Sequence, residues 1–256
     1  MRTIWTVCRR ELYSYFVSPI AWVLLAIFAI LGGFFTYFIA GYFVRASMES
    51  QMMGGGGGPM SVNEQVIAPV FSNMAVVGLF LVPLIAMRLF AEEKRQGTIE
   101  LLMTSPATDL EIILGKWLAA VLMYATLLLI LLADFSFLFV YGHPDWKPVA
   151  TGFLGILLQG ACLLSFGTFI STTTKNQIVA AAAGFAFALL LFVLSWTTAF
   201  GNSLTTQVLS YLSITSHFDS FARGVIDTKD LIFYLSMIFF GLFLTARSLE
   251  SIRWRA

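Results

Sequence analysis

The sequence predicts an all-α integral membrane protein with six transmembrane helices, an N-terminal amphipathic interfacial helix and a short helix at the membrane surface between spans 2 and 3. Of its 256 residues, 59% are hydrophobic and only 11% are charged, whereas soluble domains are closer to half apolar. Long apolar segments alternate with short polar connections, as in multispan proteins. One connection, 88–116, holds nine charged residues in 29 positions, too many to lie in hydrocarbon.

The first element, residues 1–19, is predicted to be an amphipathic helix lying in the membrane interface. One face of its helical wheel is apolar and aromatic and carries Ile4, Trp5, Cys8, Leu12, Tyr15 and Phe16. The other face is polar and largely basic and carries Arg2, Thr6, Arg9, Arg10 and Ser14. Such a pattern places aromatic side chains toward acyl chains and basic side chains toward headgroups, and Pro19 ends the helix.

Six apolar segments follow, and the whole chain, 1–256, is predicted to be one membrane domain. The spans are expected at about 20–44, 66–87, 117–141, 149–171, 178–200 and 231–246. Segment 45–65, with five consecutive glycines, is predicted to be a flexible loop. Pro83 is expected to kink the second span near its end.

Basic residues predict the orientation of these spans. Eleven of the fifteen Lys and Arg residues fall on the side that holds both termini and segment 88–116, and four fall on the other side. Cytoplasmic segments of membrane proteins carry the excess of basic residues. Both termini and segment 88–116 are therefore predicted to be cytoplasmic.

Segment 88–116 contains signals for a short, separate helix. Gly97 interrupts the preceding helical pattern, Thr98 is a helix-capping residue, and Pro106 stops the helix. Apolar side chains available for docking and acidic side chains available for pairing are Leu101, Leu102, Glu92, Glu93 and Glu100. Such a helix suits a protein partner at the membrane surface, and the alternative is an ordinary solvated loop.

Enzyme motifs are absent from the sequence, so the chain is predicted not to be an enzyme. It has neither the nucleotide-binding G-x-x-x-x-G-K-[ST] nor H-E-x-x-H, and Ser165 lacks the leading Gly of a nucleophile elbow. His143 and His217 are expected to be loop residues on the far side. Cys8 and Cys162 suggest neither a disulfide framework nor a metal site, and no basic run suggests nucleic acid.

Two further features are noted outside segment 88–116. Asp134 is the one acidic residue within a predicted span, and intramembrane acids are functional candidates. The alternative is a hydrogen-bonded residue that supports helix packing. In the polar segment 201–230, Phe218, Phe221 and Val225 fall on one face of an expected interfacial helix.

A family resemblance rests mainly on segment 92–106, which reads EEKRQGTIELLMTSP, and on the LGK at 114–116. With these residues the chain resembles the type-2 ABC exporter permease family. It is most similar to the gliding-motility permease branch, and the permease for nitrous oxide reductase maturation is a near relative. The likeness extends to the N-terminal helix, the six spans and the segment YLSITSHFDSFARGVIDTKD before the last span.

This resemblance implies the permease subunit of an ATP-driven ABC transporter in a bacterial inner membrane. A cytoplasmic ABC ATPase dimer would bind ATP and Mg²⁺, so this chain needs no cofactor, and a second permease subunit would be the same chain or a larger one with an extracytoplasmic domain. The short surface helix would be the cytoplasmic coupling helix that docks on the ATPase. The implied coupling residues are Glu92, Glu93, Gly97, Thr98, Glu100, Leu101 and Leu102. The alternative is a non-transporting membrane anchor or mechanotransmitter driven by the same ATPase.

Overall fold

A computed structural model describes residues 2–52, 61–99, 107–142, 144–196, 208–209 and 211–253. All regular structure in these ranges is helical, which confirms the predicted fold class. The helices are α1 (Arg2–Val17), α2 (Pro19–Met52), a π-helical turn (Asn63–Ile67) leading into α3 (Ala68–Ala86), α4 (Ala91–Gln96), α5 (Asp109–Gly142), α6 (Trp146–Thr173), α7 (Gln177–Val193), α8 (Phe218–Ala222) and α9 (Thr228–Arg253).

Six helical segments among the described residues are long and apolar enough to cross a membrane, as the sequence predicts. They are Pro19–Met52, Asn63–Gln96, Asp109–Val140, Trp146–Thr173, Gln177–Trp196 and Thr228–Ser251. Expected span residues 197–200 lie outside the described ranges.

Several helices extend beyond the predicted span limits. Residues 45–52, expected in a loop, continue α2, because no Gly or Pro interrupts the helix before position 54. Helix α5 begins at Asp109, ahead of the span limit at 117, and this confirms the helical start that the sequence predicts at Thr108 or Asp109, because Thr108 and Glu111 form a reciprocal cap. The Thr108 N–H donates to Glu111 Oε2 at 3.2 Å, and the Glu111 N–H donates to Thr108 Oγ1 at 3.3 Å.

The centre of the bundle consists of α3 and α6. Helix α3 packs against α2, α6 and α7, while α6 also packs against α5, α7, α8 and α9. Glycine allows some of these approaches. A Cβ atom added to Gly160 of α6 would lie only 2.1 Å from the ring of Tyr124, a fully buried α5 residue. The central helices are therefore held at separations that their small residues set.

The segment between α7 and α9 differs from the sequence prediction. His217 lies in the turn before α8, as expected of a loop residue, but it is buried, and its Nδ1 lies 2.7 Å from Asp230 Oδ1. Phe218 and Phe221 are buried in the core, whereas Val225 lies beyond the end of α8 and is exposed. These three apolar residues thus do not share one interfacial helix face, because the chain turns after Ala222.

Candidate functional site: the segment after α3

Helix α4 begins on a hydroxyl group supplied by α6. The backbone N–H groups of Phe90 and Ala91 both donate to Ser171 Oγ at 2.9 Å, and the Ser171 hydroxyl donates to the Met87 carbonyl at 3.2 Å. The first N–H groups of a helix have no partners within it. Ser171 therefore supplies these partners and fixes the start of α4 to the end of α6.

Helix α4 ends at the glycine predicted to interrupt it. Gly97 has φ +74°, in the left-handed region, and its N–H donates to the Glu93 carbonyl. The Thr98 N–H donates to the same carbonyl at 3.0 Å. Glycine is favoured there because it lacks the Cβ that disfavours positive φ. The chain turns at Gly97 toward the predicted docking residues Glu100, Leu101 and Leu102, which lie outside the described residues.

Four charged side chains from α1, α4 and α5 meet beneath this segment, and we call them the Glu93–Lys116 cluster: Arg10, Glu11, Glu93 and Lys116. Lys116 Nζ lies 2.8 Å from Glu93 Oε1 and 2.9 Å from Glu11 Oε1. Arg10 Nη2 lies 2.8 Å from Glu11 Oε1 and 3.5 Å from Glu93 Oε1. The Lys116 side chain is only 1% exposed, and its ammonium lies 5.2 Å from the centre of the Phe90 ring.

The Glu93–Lys116 cluster holds two positive and two negative groups, so pairing can compensate for their burial. An unpaired ion in such a site would cost several kcal/mol. Burial alone would raise the pKa of Glu11, but the neighbouring Lys116 ammonium and Arg10 guanidinium hold it below its ordinary value. The cluster therefore ties α4 to α1 and α5, and a displacement of α4 would separate buried Glu93 from Lys116 and Arg10, which would keep Glu11 as their partner.

Glu92 belongs to a second, more exposed connection. Its Oε2 lies 3.1 Å from Nε of Arg88, whose Nη2 donates to Ser14 Oγ at 3.3 Å. The Arg88 guanidinium also lies over the Tyr15 ring at 5.1 Å, and the Tyr15 hydroxyl donates to the Ile85 carbonyl at 2.8 Å. Because a third of the Glu92 side chain is exposed, this ion pair is weaker than the buried ones.

The structure gives different surroundings to two acidic residues selected from the sequence, Glu92 and Glu93. Glu93, expected to be available to a partner, is turned inward, while Glu92 remains at the surface. Sequence reasoning did not select Glu11 or Lys116. The sequence feature that could have identified them is their position: Glu11 is the one acid in α1, and Lys116 is the last charged residue before the apolar run of the third span. The assignment of a coupling role to these residues stays a prediction.

Asp134, the intramembrane candidate, lies on the side of α5 that faces α2. A Cβ atom added to Gly32 would be 2.9 Å from Asp134 Oδ2. Asp134 and Thr36 line a cavity of about 620 Å³ between the two helices. Within the described ranges, neither Asp134 Oδ2 nor Thr36 Oγ1 has a hydrogen-bond partner.

Ser165, Cys8 and Cys162 are packed inside the bundle, whereas His143 lies outside the described residues. The Ser165 hydroxyl donates to the Cys162 carbonyl at 2.7 Å, and Cys8 and Cys162 are buried free thiols. In the part of the chain that the structure describes, no group of three or more His, Cys, Asp or Glu side chains could hold a metal ion.

The chain is similar to known transporter proteins over most of its length. A profile of the family described as "ABC-2 family transporter protein" matches residues 5–246. The chain is 24% identical over 162 residues to the "Probable multidrug ABC transporter permease YbhR" of Escherichia coli K12, and to the protein of the same name from strain O157:H7. Each alignment covers 62% of this chain and 43% of the relative, so the chain matches less than half of those proteins. The resemblance to type-2 ABC permeases is thereby confirmed, and the gliding-motility branch stays a prediction. The chain belongs to the ABC-2 family of transporter proteins.

Proposed function

We propose that this chain is the permease through which ATP hydrolysis by a cytoplasmic ATPase dimer drives export, with segment 91–102 as the coupling element. Membership in the ABC-2 family implies the membrane subunit of an ABC transporter. In this proposal the ATPase subunits bind ATP and Mg²⁺, and the permease contributes the docking surface and the moving helices.

The observation that carries the proposal is the Glu93–Lys116 cluster. Gly97 ends α4 one turn after Glu93, and the predicted docking residues follow Gly97 in the sequence. A force on the docking residues would therefore act directly on α4. From α4 the buried ion pairs lead to Lys116 on α5 and to Glu11 on α1. An ordinary solvated loop would not need buried charges at its base, since burying ions is costly.

A second path runs from α4 to α6. Ser171 binds the backbone at 90 and 91, and Lys94 Nζ donates to the Thr172 carbonyl. Helix α6 is central and packs against α3, α5, α7 and α9. A displacement of α4 would therefore shift the core of the bundle, and not only its surface.

The finer parts of the assignment belong to the same proposal. The family resemblance of segment 92–106 supports the gliding-motility branch, a bacterial inner-membrane location and a complex with a second permease subunit. The distribution of basic residues supports cytoplasmic termini. Export is preferred over a non-transporting mechanotransmitter because the span region contains a cavity lined by Asp134 and Thr36. A purely mechanical element would not require such a cavity.

The proposal is tested with Glu93→Gln and the matched control Glu92→Gln, each co-purified with the cognate ATPase and assayed for ATP hydrolysis in nanodiscs. Glu93→Gln removes the buried charge but leaves the docking surface unchanged, so we expect normal ATPase binding. Permease-stimulated hydrolysis should fall about fivefold or more, within the usual range of coupling energies. Glu92→Gln removes an exposed pair and should change neither quantity appreciably.

Docking is tested separately with the double change Leu101→Ala, Leu102→Ala. Loss of two apolar contacts at an interface centre should weaken ATPase binding about tenfold or more, while the permease remains folded. If this variant and Glu93→Gln both retain full ATPase binding and full stimulation, the segment has no coupling role.

A further inference from the structure

The cavity between α2 and α5 has the properties of a ligand site inside the membrane. Its volume of about 620 Å³ falls within the usual range for small-molecule sites, about 300 to 1,000 Å³. Its walls are mostly apolar and include Gly33, Gly41 and Phe137. Tyr37 and Phe137 at its margin are 76% and 63% exposed, so the cavity communicates with the lipid side of the bundle between these two rings.

Two buried polar atoms that line this cavity, on Asp134 and Thr36, have no hydrogen-bond partner among the described residues. Asp134 takes part in no ion pair within the described residues, and its buried Oδ2 accepts no hydrogen bond there. Thr36 is 8% exposed, and its Oγ1 is likewise without a partner. Buried polar groups are normally satisfied, and an exception needs an explanation. A carboxyl group in an apolar cavity has most to gain from a positive charge.

Among the residues that the structure describes, no positive charge forms an ion pair with Asp134. The cation that also lines the cavity, Arg45, lies nine residues beyond Thr36 on α2, which corresponds to about 14 Å along a helix. Arg45 is exposed. The position beside Asp134 is therefore open to a cation from outside the chain.

We propose that the cavity between α2 and α5 binds a hydrophobic organic cation, whose charge lies beside Asp134 and Thr36 and whose apolar body contacts the cavity walls. The rings of Tyr37 and Phe137 offer additional attraction to a positive charge. The inference rests on the proposed function only in treating this cation as the substrate class of the transporter. Binding itself requires neither the ATPase nor ATP.

The test measures binding of radiolabelled tetraphenylphosphonium to the purified full-length chain in maltoside micelles, without ATPase or ATP. Tetraphenylborate, an anion of the same shape, is the matched competitor. We expect saturable binding of the cation and little competition by the anion. Asp134→Asn, nearly identical in shape but uncharged, should lower the affinity about tenfold or more, which corresponds to 1.4 kcal/mol. Asp134→Glu should retain most of the affinity, and the exposed control Glu49→Gln should leave it unchanged.

A second set of variants leaves Asp134 intact and fills the cavity. Cβ atoms added at Gly33 and Gly41 meet no other atom within 4 Å, so Gly33→Leu and Gly41→Leu should fold normally and still block the site. We expect both to reduce cation binding, and this arm remains informative even if an Asp134 variant fails to fold.

Three results would overturn the inference: no saturable binding to the unaltered chain, equal competition by tetraphenylborate, or unchanged affinity in folded Asp134→Asn and Gly41→Leu variants. None of them would affect the coupling proposal, which depends on Glu93 and is measured by ATPase stimulation. Conversely, full ATPase binding and full stimulation in both Glu93→Gln and the Leu101→Ala, Leu102→Ala variant would reject coupling and leave the cation site standing.

Discussion

On the side of the bundle opposite α1, the buried side chain of His217 connects two segments of the chain. His217 Nδ1 lies 2.7 Å from Asp230 Oδ1, and its Nε2 lies 2.8 Å from the Tyr211 carbonyl oxygen. The imidazole also stacks on Phe233 with a 3.9 Å separation of ring centres. One side chain thus joins the segment before α8 to the first turns of α9.

Replacing His217 by Phe should destabilise the protein, because the ring volume is kept while buried Asp230 loses its partner. An unsatisfied buried charged group costs about 3 kcal/mol, so the free energy of unfolding in detergent, followed by tryptophan fluorescence, should fall by about that amount. Asp227→Asn is the matched control, because its pair with Lys229 is exposed, so the free energy of unfolding should stay nearly unchanged.

The double variant His217→Phe, Asp230→Leu separates pairing from packing. If pairing dominates, this variant should be clearly more stable than His217→Phe alone, since no buried charge remains without a partner. Equal stability of the two variants would assign the effect to packing against Phe233.

At this scale the sequence predicts which residues are unusual better than it predicts what they contact. Gly97 was identified correctly as the end of a helix, since a glycine after a charged helix is a local signal. Asp134 was selected because it is an acid within a span, and its functional role stays a prediction. Glu11 and Lys116 are 105 residues apart, and no local pattern reveals that they meet. His217 lies in a turn, as predicted, but for the same reason its pairing with Asp230 was not predicted.

Among the helices, the contact between α6 and α9 depends on a small residue. A Cβ atom added to Gly241 of α9 would lie 2.4 Å from Ser165 Oγ and 3.0 Å from the Ser165 carbonyl carbon. Since backbone atoms cannot move aside as a flexible side chain can, the two helices would have to separate. The hydroxyl of Ser165 remains bonded to its own helix, at the Cys162 carbonyl.

Gly241→Val should therefore destabilise the bundle by about 1 to 3 kcal/mol, the usual cost of overpacking. The measurement is the midpoint of thermal unfolding in detergent. Gly33→Val is the matched control, since its added Cβ meets nothing within 4 Å, and its midpoint should stay close to that of the unaltered chain. Equal midpoints for the two variants would show that α6 and α9 tolerate separation.

The existence of each long helix was predictable from the sequence, and so was the start of α5 near Thr108, but the C-terminal extension of α2 and the buried faces were not. Hydropathy reports length and apolar character, and these located all six spans. The early start of α5 depends on the Thr108–Glu111 cap, and the extension of α2 to Met52 depends on the absence of a breaker. Which face of a helix is buried depends on neighbours, because every face of a membrane span is apolar.

The molecule as a whole has two distinct sides. One side holds α1, α4 and the ends of α6 and α9, where Thr172 Oγ1 donates to Ser248 Oγ at 2.7 Å. The opposite side joins the start of α3 to that of α6, with Asn63 Nδ2 donating to the Asp145 carbonyl at 3.2 Å. The structure therefore fixes which connections share a side, and the distribution of basic residues predicts which side faces the cytoplasm.

Cysteine labelling tests this orientation directly. Lys175 lies on the α1 side and Lys147 on the opposite side, and both are exposed. The native thiols, Cys8 and Cys162, are 1% and 0% exposed, so they should contribute little background with a membrane-impermeant maleimide. Because eleven of fifteen basic residues lie on the α1 side, the positive-inside rule predicts that this side is cytoplasmic.

In intact spheroplasts the reagent should label Lys147→Cys strongly and Lys175→Cys only after permeabilisation. The reverse pattern would place α4 outside the cell, where no cytoplasmic ATPase could reach it, and would exclude the proposed coupling.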